Sequence, residues 1–417
     1  FIQKIDELPT GQHQSEIEIS DGSRLQTIQV RFSKVGEVSG TVIDLETEQI
    51  LAPVQLQLRS IDNQQVVNLT SAVGRFQLPF SQDGRYEISV QAEAHIPRTE
   101  TVITRLGQAK IHVRLSPFLN RSSSIRNGLH SPNKMTIDSQ NRLYVSNQIS
   151  GTITVLDNLT QTSELVLNQP DICQPSGLAV WRNQLLVSLS ATDQIAVIDT
   201  QSQQEIHRFA IGDYPDHCQI VGNRMYVALR RENKIAVVDL TIPARKYRIP
   251  VAREPGPMVA DINQLYLYVC NTSDDTVSVI DLQAERELYR IRVGQKPKQI
   301  ALGNKLNNGQ KYLYVVNSLS GDVSVIQTEN RLEVNRINTG RRSAVVAIQP
   351  LSLGREILYI IDRGGIVSAV EMPRQTMVRD IGLNLPQGPS SGNYNPKTNQ
   401  IYVLHRTSQQ LSVLYAD

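Results

Sequence analysis

Histidine and arginine supply most of the chemistry that this chain of 417 residues offers. His217 follows Asp216 in the run Pro215-Asp216-His217, and His405-Arg406 ends the run Ile401-Tyr402-Val403-Leu404-His405-Arg406. A histidine beside a carboxylate is the minimum for acid–base work, because the carboxylate orients the imidazole and stabilises its charged form. If His217 and His405 faced each other, with Asp216 orienting one of them, they would suit a hydrolase or lyase acting on a small anionic substrate. No His-x-His and no cluster of carboxylates accompanies them, so a polar residue at a strand start is the plainer reading of His217. Cys173, Cys218 and Cys270 lack metal-ligand and haem-attachment spacing, and Trp181 is the single tryptophan, so no metal or cofactor is expected. The cysteines read as small buried hydrophobes, with a Cys173–Cys218 disulfide as the alternative.

Cations form the second candidate site. His217, Lys298, Arg341 and Arg342 lie at starts of Pro-led or equivalent segments, together with His130, Asp216 and Arg253. Arg230, Arg231, Arg363, His405 and Arg406 follow another class of strand, together with Asp274 and Asp275. If the two sets share one rim, bases outnumber acids there although the chain's formal charge is only +2. Such a mouth would receive an acidic protein surface or a small anion; a solvated loop surface is the alternative. The near-neutral total gives no reason to propose nucleic acid or an anionic membrane, and no apolar run approaches the roughly 20 residues of a spanning helix.

The elements that must position these residues recur. Strand-like runs begin at Leu143 (LYVSN), Leu185 (LLVSL), Met225 (MYVAL), Leu267 (LYVCN), Leu313 (LYVVN), Leu358 (LYIID) and Ile401 (IYVLH), 40 to 46 residues apart. Each is followed by a partner such as Thr276-Val277-Ser278-Val279-Ile280-Asp281, whose apolar and small polar residues alternate with the period of a strand. Between one partner and the next copy lie an outer strand and a Pro-led inner strand. Four strands per period describe a propeller blade. The recurring Asp157, Asp199, Asp239 and Asp281 read as turn formers that bond nearby backbone.

Tyr-Val-x-Asn, Val-Ser-Val-Ile-Asp and Val293-Gly294 with Pro297 resemble the YVTN-type β-propellers over residues 130–417. Copies four and five match best; Leu186 and Leu189 depart from the pattern in the second, and Asp362-Arg363-Gly364-Gly365 shortens the turn in the sixth. The resemblance implies a seven-bladed β-propeller. Counted from its Pro-led strand, the last repeat reaches Asp417 one strand short, so an upstream segment must complete it and remove the open edge. Phe118–Ile125 is the expected segment, with Lys110–Leu115 as the alternative.

Residues 38–116 follow another pattern, from Val38-Ser39-Gly40-Thr41-Val42-Ile43-Asp44 to Gly74-Arg75-Phe76 and Gly84-Arg85-Tyr86-Glu87-Ile88-Ser89-Val90. This is similar to the carboxypeptidase regulatory-like domain, a transthyretin-like β-sandwich. Residues 15–32 echo residues 100–115, which predicts that 1–37 are the tail of a preceding module or extra edge strands of the same sandwich. The expected organisation is therefore 1–37, a sandwich at 38–116, a linker with the ring-closing strand at 117–130, and a propeller at 131–417: an all-β chain. The start at Phe1 leads us to expect a removed signal peptide or a longer N-terminal region. Both resemblances imply an exported bacterial protein, periplasmic or on the cell surface. The lack of a catalytic constellation leads us to expect a non-enzymatic binding or scaffolding protein whose rim loops hold a protein partner, with a structural subunit of a larger complex as one form of it.

Overall fold

A computed structural model describes all residues except 1–10, 21–24, 35, 45, 46, 81, 82, 93, 94, 96, 105–107, 116–118, 120, 127, 158–160, 169–172, 243–245, 262, 340, 341, 352, 353, 379, 416 and 417. Contacts divide the chain into two units, residues 1–118 and 119–417.

In the N-terminal unit, Gly36–Asp44 lies between Arg75–Phe80, antiparallel to it, and Gln108–Leu115, parallel to it. A second, antiparallel sheet contains Val54–Ser60, Val66–Ser71, Arg85–Ala92 and Arg98–Ile103. Along Val54–Ser60 burial alternates residue by residue, so Val54, Leu56 and Leu58 face inward while Gln55, Gln57 and Arg59 face solvent. They join Val38, Val42, Phe76, Leu78, Tyr86 and Ile88 in one core shared by both sheets. Gly40 permits the parallel approach: a Cβ there would stand 2.0 Å from the Ile111 carbonyl oxygen.

The echo between residues 15–32 and 100–115 does not become a repeated structure. Gly11–Ser20 and Leu25–Lys34 pair with each other along their whole length, Gly11 opposite Lys34 and Ser20 opposite Leu25. They form a two-stranded sheet of their own and extend neither of the other sheets among the described residues. The later pair separates, Arg98–Ile103 into one sheet and Gln108–Leu115 into the other.

Among the described residues the C-terminal unit contains seven four-stranded antiparallel sheets, six of them formed by four consecutive strands each. The exception contains Pro389–Asn395, Gln400–His405 and Gln410–Tyr415, with Arg121–Ile125 outermost, Arg121 opposite Tyr415 and Ile125 opposite Leu411. The expected closing segment thus supplies the strand from Arg121 onward, while Phe118 and Asn120 lie outside the described residues. Lys110–Leu115 belongs to the N-terminal unit. Each inner strand packs beside the next, and the last returns to the first. Leu143 and Val145 accordingly share a core with Tyr402 and Leu404.

Second strands are buried on both faces, as in Leu143–Asn147, so they read as apolar runs rather than as alternating ones. Tyr144, Tyr226, Tyr268, Tyr314, Tyr359 and Tyr402 occupy one equivalent position, all buried. Their hydroxyls can find partners there: Tyr144 donates to Asp138 and Tyr314 to Glu356 at 2.6 Å. The asparagines that end three second strands bind the next strand. Asn147 donates to Thr154 Oγ1 at 2.7 Å, Asn271 to Ser278 Oγ at 2.7 Å and Asn317 to Ser324 Oγ at 2.8 Å.

Candidate functional site

One irregularity recurs in all seven sheets. Pro132 pairs with Asn147, yet regular pairing resumes only at Met135–Val145, and the register slips likewise after Pro175, Pro215, Pro255, Pro297, Ser343 and Pro389. A bulge removes residues from the ladder and re-aims their side chains. Of those displaced, Lys134, His217, Pro257, Lys298 and Ser390 line a cavity of about 220 Å³ at the ring's centre. The residue before the bulge adopts positive φ in six sheets: Ser131, Gln174, Tyr214, Glu254, Lys296 and Gly388. Its carbonyl accepts a backbone N–H from the turn after the second strand, as from Arg230 to Tyr214 (3.1 Å) and from Arg406 to Gly388 (3.3 Å); Arg342 accepts from Arg363 in the same way (3.0 Å). Both loop sets therefore share one rim.

Hydroxyls stitch the inner strands together beneath that rim. Ser146 Oγ accepts the Lys134 N–H (3.1 Å) and donates to the Ser176 carbonyl (2.8 Å); Ser188 Oγ accepts the Gly177 N–H (2.7 Å) and donates to the Asp216 carbonyl (3.0 Å). A Cβ on Gly177 would lie 2.5 Å from the Asp216 carbonyl oxygen, so this approach requires glycine. On the far wall the Gln299 amide spans three sheets, donating to the Val346 and Gly392 carbonyls (3.1 and 3.2 Å) and accepting the Val346 N–H (3.0 Å).

The cavity is electropositive. Asn133 donates to Ser176 Oγ (3.1 Å), which donates to Asp216 Oδ1 (2.8 Å), and Asp216 Oδ2 lies 4.0 Å from Arg230. Burial would raise the Asp216 pKa, but Lys134, the Ser176 hydroxyl, His217 and Arg230 together hold it below the ordinary carboxylate value. His217 is pushed down to about 3 by burial and then by Lys134, against the pull of Asp216, and is a neutral imidazole at pH 7. Its Nδ1 is buried without a hydrogen-bond partner. Lys298 lies below the usual lysine value through burial and through the charges of Arg363, Arg230, Lys296 and Lys134. Neither Lys134 nor Lys298 has an ion-pair partner among the described residues.

The structure separates the residues that the sequence grouped. His217 and Lys298 line the cavity, with Arg230 beside Asp216 and Glu254. Arg231 projects outward, 3.5 Å from Asp213 and stacked over Tyr214. Arg342, Arg363 and Arg406 are exposed on the rim, Arg363 against the Ser318 carbonyl (3.4 Å) and Arg406 donating to Gln148 Oε1 (2.7 Å). Arg341 lies outside the described residues. His405 does not face His217: it is fully buried where other repeats carry asparagine, both ring nitrogens lack partners of hydrogen-bonding geometry, and burial outweighs the Pro386 carbonyl to push it down to about 4. The acid–base alternative therefore lacks an accessible second imidazole. Cys173 and Cys218 are buried and do not form a disulfide. Burial, with Asp216, pushes Cys218 up to about 12, and no group of three or more His, Cys, Asp or Glu among the described residues could hold a metal ion.

Lys134, Gln299 and the Asn133–Ser176–Asp216 chain escaped the sequence reading. Aligning the second residue after each leading proline would have placed Lys134 over His217. Gly388-Pro389-Ser390-Ser391-Gly392 has the spacing of a serine-nucleophile elbow, but it forms a bulged inner strand, and Ser390 Oγ donates to the Leu404 carbonyl (3.3 Å).

Solved structures decide the fold of the larger unit. It resembles hydrazine synthase of Kuenenia stuttgartiensis (21% identity, 70% of this chain and 97% of that one, TM-score 0.55). Virginiamycin B lyase from Staphylococcus aureus is also similar (11%, 71% and 99%, TM-score 0.58). So is the β-propeller domain of Cps50 (Swd1) from Myceliophteria thermophila (13%, 71% and 100%, TM-score 0.55). The C-terminal unit is a β-propeller. At these identities the likeness is one of fold, shared by enzymes and by components of protein assemblies alike. No protein-family model matches the sequence, and no curated protein matches it either. No helix among the described residues is long and apolar enough to cross a membrane.

Proposed function

We propose that the protein is a binding or scaffolding module, not an enzyme, whose propeller rim docks an acidic surface of a protein partner. The supporting observation is a pairing of exposed apolar residues with arginines on that rim. Ile149, 75% exposed, follows Gln148, which holds Arg406; Leu319, 48% exposed, follows Ser318, which holds Arg363. An apolar knob beside a guanidinium is the composition that dominates binding energy at protein interfaces, and the arginines favour an acidic counterpart. An enzyme built on two facing histidines is disfavoured, because His405 is sealed. The same reading extends to export into the periplasm or onto the cell surface, which fractionation of the source cells would test.

The test compares affinity capture by the wild-type chain and by Ile149→Asp/Leu319→Asp from an extract of the source. The reading expects a protein that the wild type retains, that the variant loses, and that moderate salt elutes. Equal retention by both chains, with equal melting temperatures, would remove it.

A further inference from the structure

We propose that the central cavity of the propeller is a binding site for a small free oxyanion, held by the ammonium groups of Lys134 and Lys298 and by a ring nitrogen of His217. Three strands of the ring bring these groups together through the recurring bulge, and all three border the same cavity. The volume, about 220 Å³, is roughly that of seven liquid waters and lies below the roughly 300 Å³ at which drug-sized ligand sites begin, so the ligand is small.

Charge selects its sign. Lys134 is half-buried and lines the cavity together with His217 and Lys298 from two other sheets. Lys298 meets four other cations, Arg363, Arg230, Lys296 and Lys134. Asp216 is the carboxylate nearest in sequence to His217, and it is already engaged by the Ser176 hydroxyl and faces Arg230. Neither lysine has an ion-pair partner among the described residues and the His217 imidazole borders the same cavity, so the site offers positive potential and N–H donors that no carboxylate of the lining answers. An oxyanion supplies the acceptors and offsets the mutual repulsion of the lysines.

The site is independent of the rim reading, because Ile149 and Leu319 are not among the residues that line the cavity. Isothermal titration of the full chain with inorganic sulfate and with malonate, at constant ionic strength, tests it. At least one probe should bind saturably at one site per chain. Lys134→Met and Lys298→Met should each weaken that binding tenfold or more, Lys298→Arg should retain most of it, and Lys246→Met, whose ammonium sits over Phe209, should leave it unchanged. The bound probe should raise the melting temperature of the wild type but not that of the Lys134→Met chain, which also shows whether the variant is folded. Failure of both probes to bind, or binding that survives Lys134→Met/Lys298→Met in a folded chain, would overturn the proposal. Ile149→Asp/Leu319→Asp should bind the probe as the wild type does, so loss of partner capture and loss of anion binding are read separately.

Discussion

His217 and His405 occupy two regions of one propeller that share a physical property and differ in use. Burial holds each imidazole neutral, at about 3 and about 4 respectively, and each has a ring nitrogen without a partner. His217 stands on a bulged inner strand that opens to a cavity beside Lys134 and Lys298, whereas His405 ends a second strand and is 0% exposed. The His217 ring can serve a ligand because it borders that cavity, although its own Nδ1 is buried; a buried imidazole gains a binding role only at such a border. Elsewhere it is a stability liability, because protonating it creates a buried charge.

The sharpest way to break this comparison is acid. In the unfolded chain His405 takes its proton near 6.5, but in the folded chain only near 4, so between those values the unfolded state binds more protons and stability falls as pH falls. That loss is on the order of 3 kcal/mol once pH reaches the folded value. His405→Asn should remove this share of the acid loss and leave that of His217, since asparagine at this position in other repeats bonds the adjoining strand, where Gln410 and Ser412 stand here. Urea unfolding at pH 7 and pH 4.5 reads the effect; an unchanged acid loss in the variant would sink the assignment.

Gly177→Ala tests the wall that aims His217. A Cβ 2.5 Å from the Asp216 carbonyl oxygen forces two inner strands apart, and overpacking of this kind costs about 1–3 kcal/mol. Thermal melting should show the loss, and a variant as stable as the wild type would mean that the wall yields freely. Asp216→Asn removes a carboxylate beside the cavity, and sulfate affinity should rise about fivefold to tenfold as the local positive potential grows. Weaker binding would instead assign Asp216 a positioning role. The smallest effect belongs to the rim: Arg253 pairs with Asp274 at 2.6 Å but is 69% exposed, and Arg253→Met should leave the melting temperature within error of the wild type. A larger change in a double-mutant cycle would show that rim pairs are structural.

Much of this was legible in the residues, and the legible part follows a rule. Strand existence, the repeat and the closing role of the segment ending at Ile125 are periodic or topological properties; each is carried by many residues, so local departures such as Leu186 for tyrosine do not erase them. Asp199, Asp239 and Asp281 accept from backbone N–H groups of their own turns, a contact within three residues that local sequence specifies. The echo of residues 15–32 in 100–115 did not reveal the pairing, because similar strands carry no instruction about which neighbour they join.

The sequence by itself therefore determined an all-β chain, the seven repeats and the two classes of loop that carry the cations. Only the tertiary structure decided which of those cations matter together. Side-chain direction at a bulge, the sealing of His405, and the pairing of Arg253 or Arg231 with carboxylates all depend on segments 18 to more than 200 residues apart meeting in space. Lys134 stands far from His217 and Lys298 along the chain, and it is the closed ring of inner strands that sets the three around one cavity.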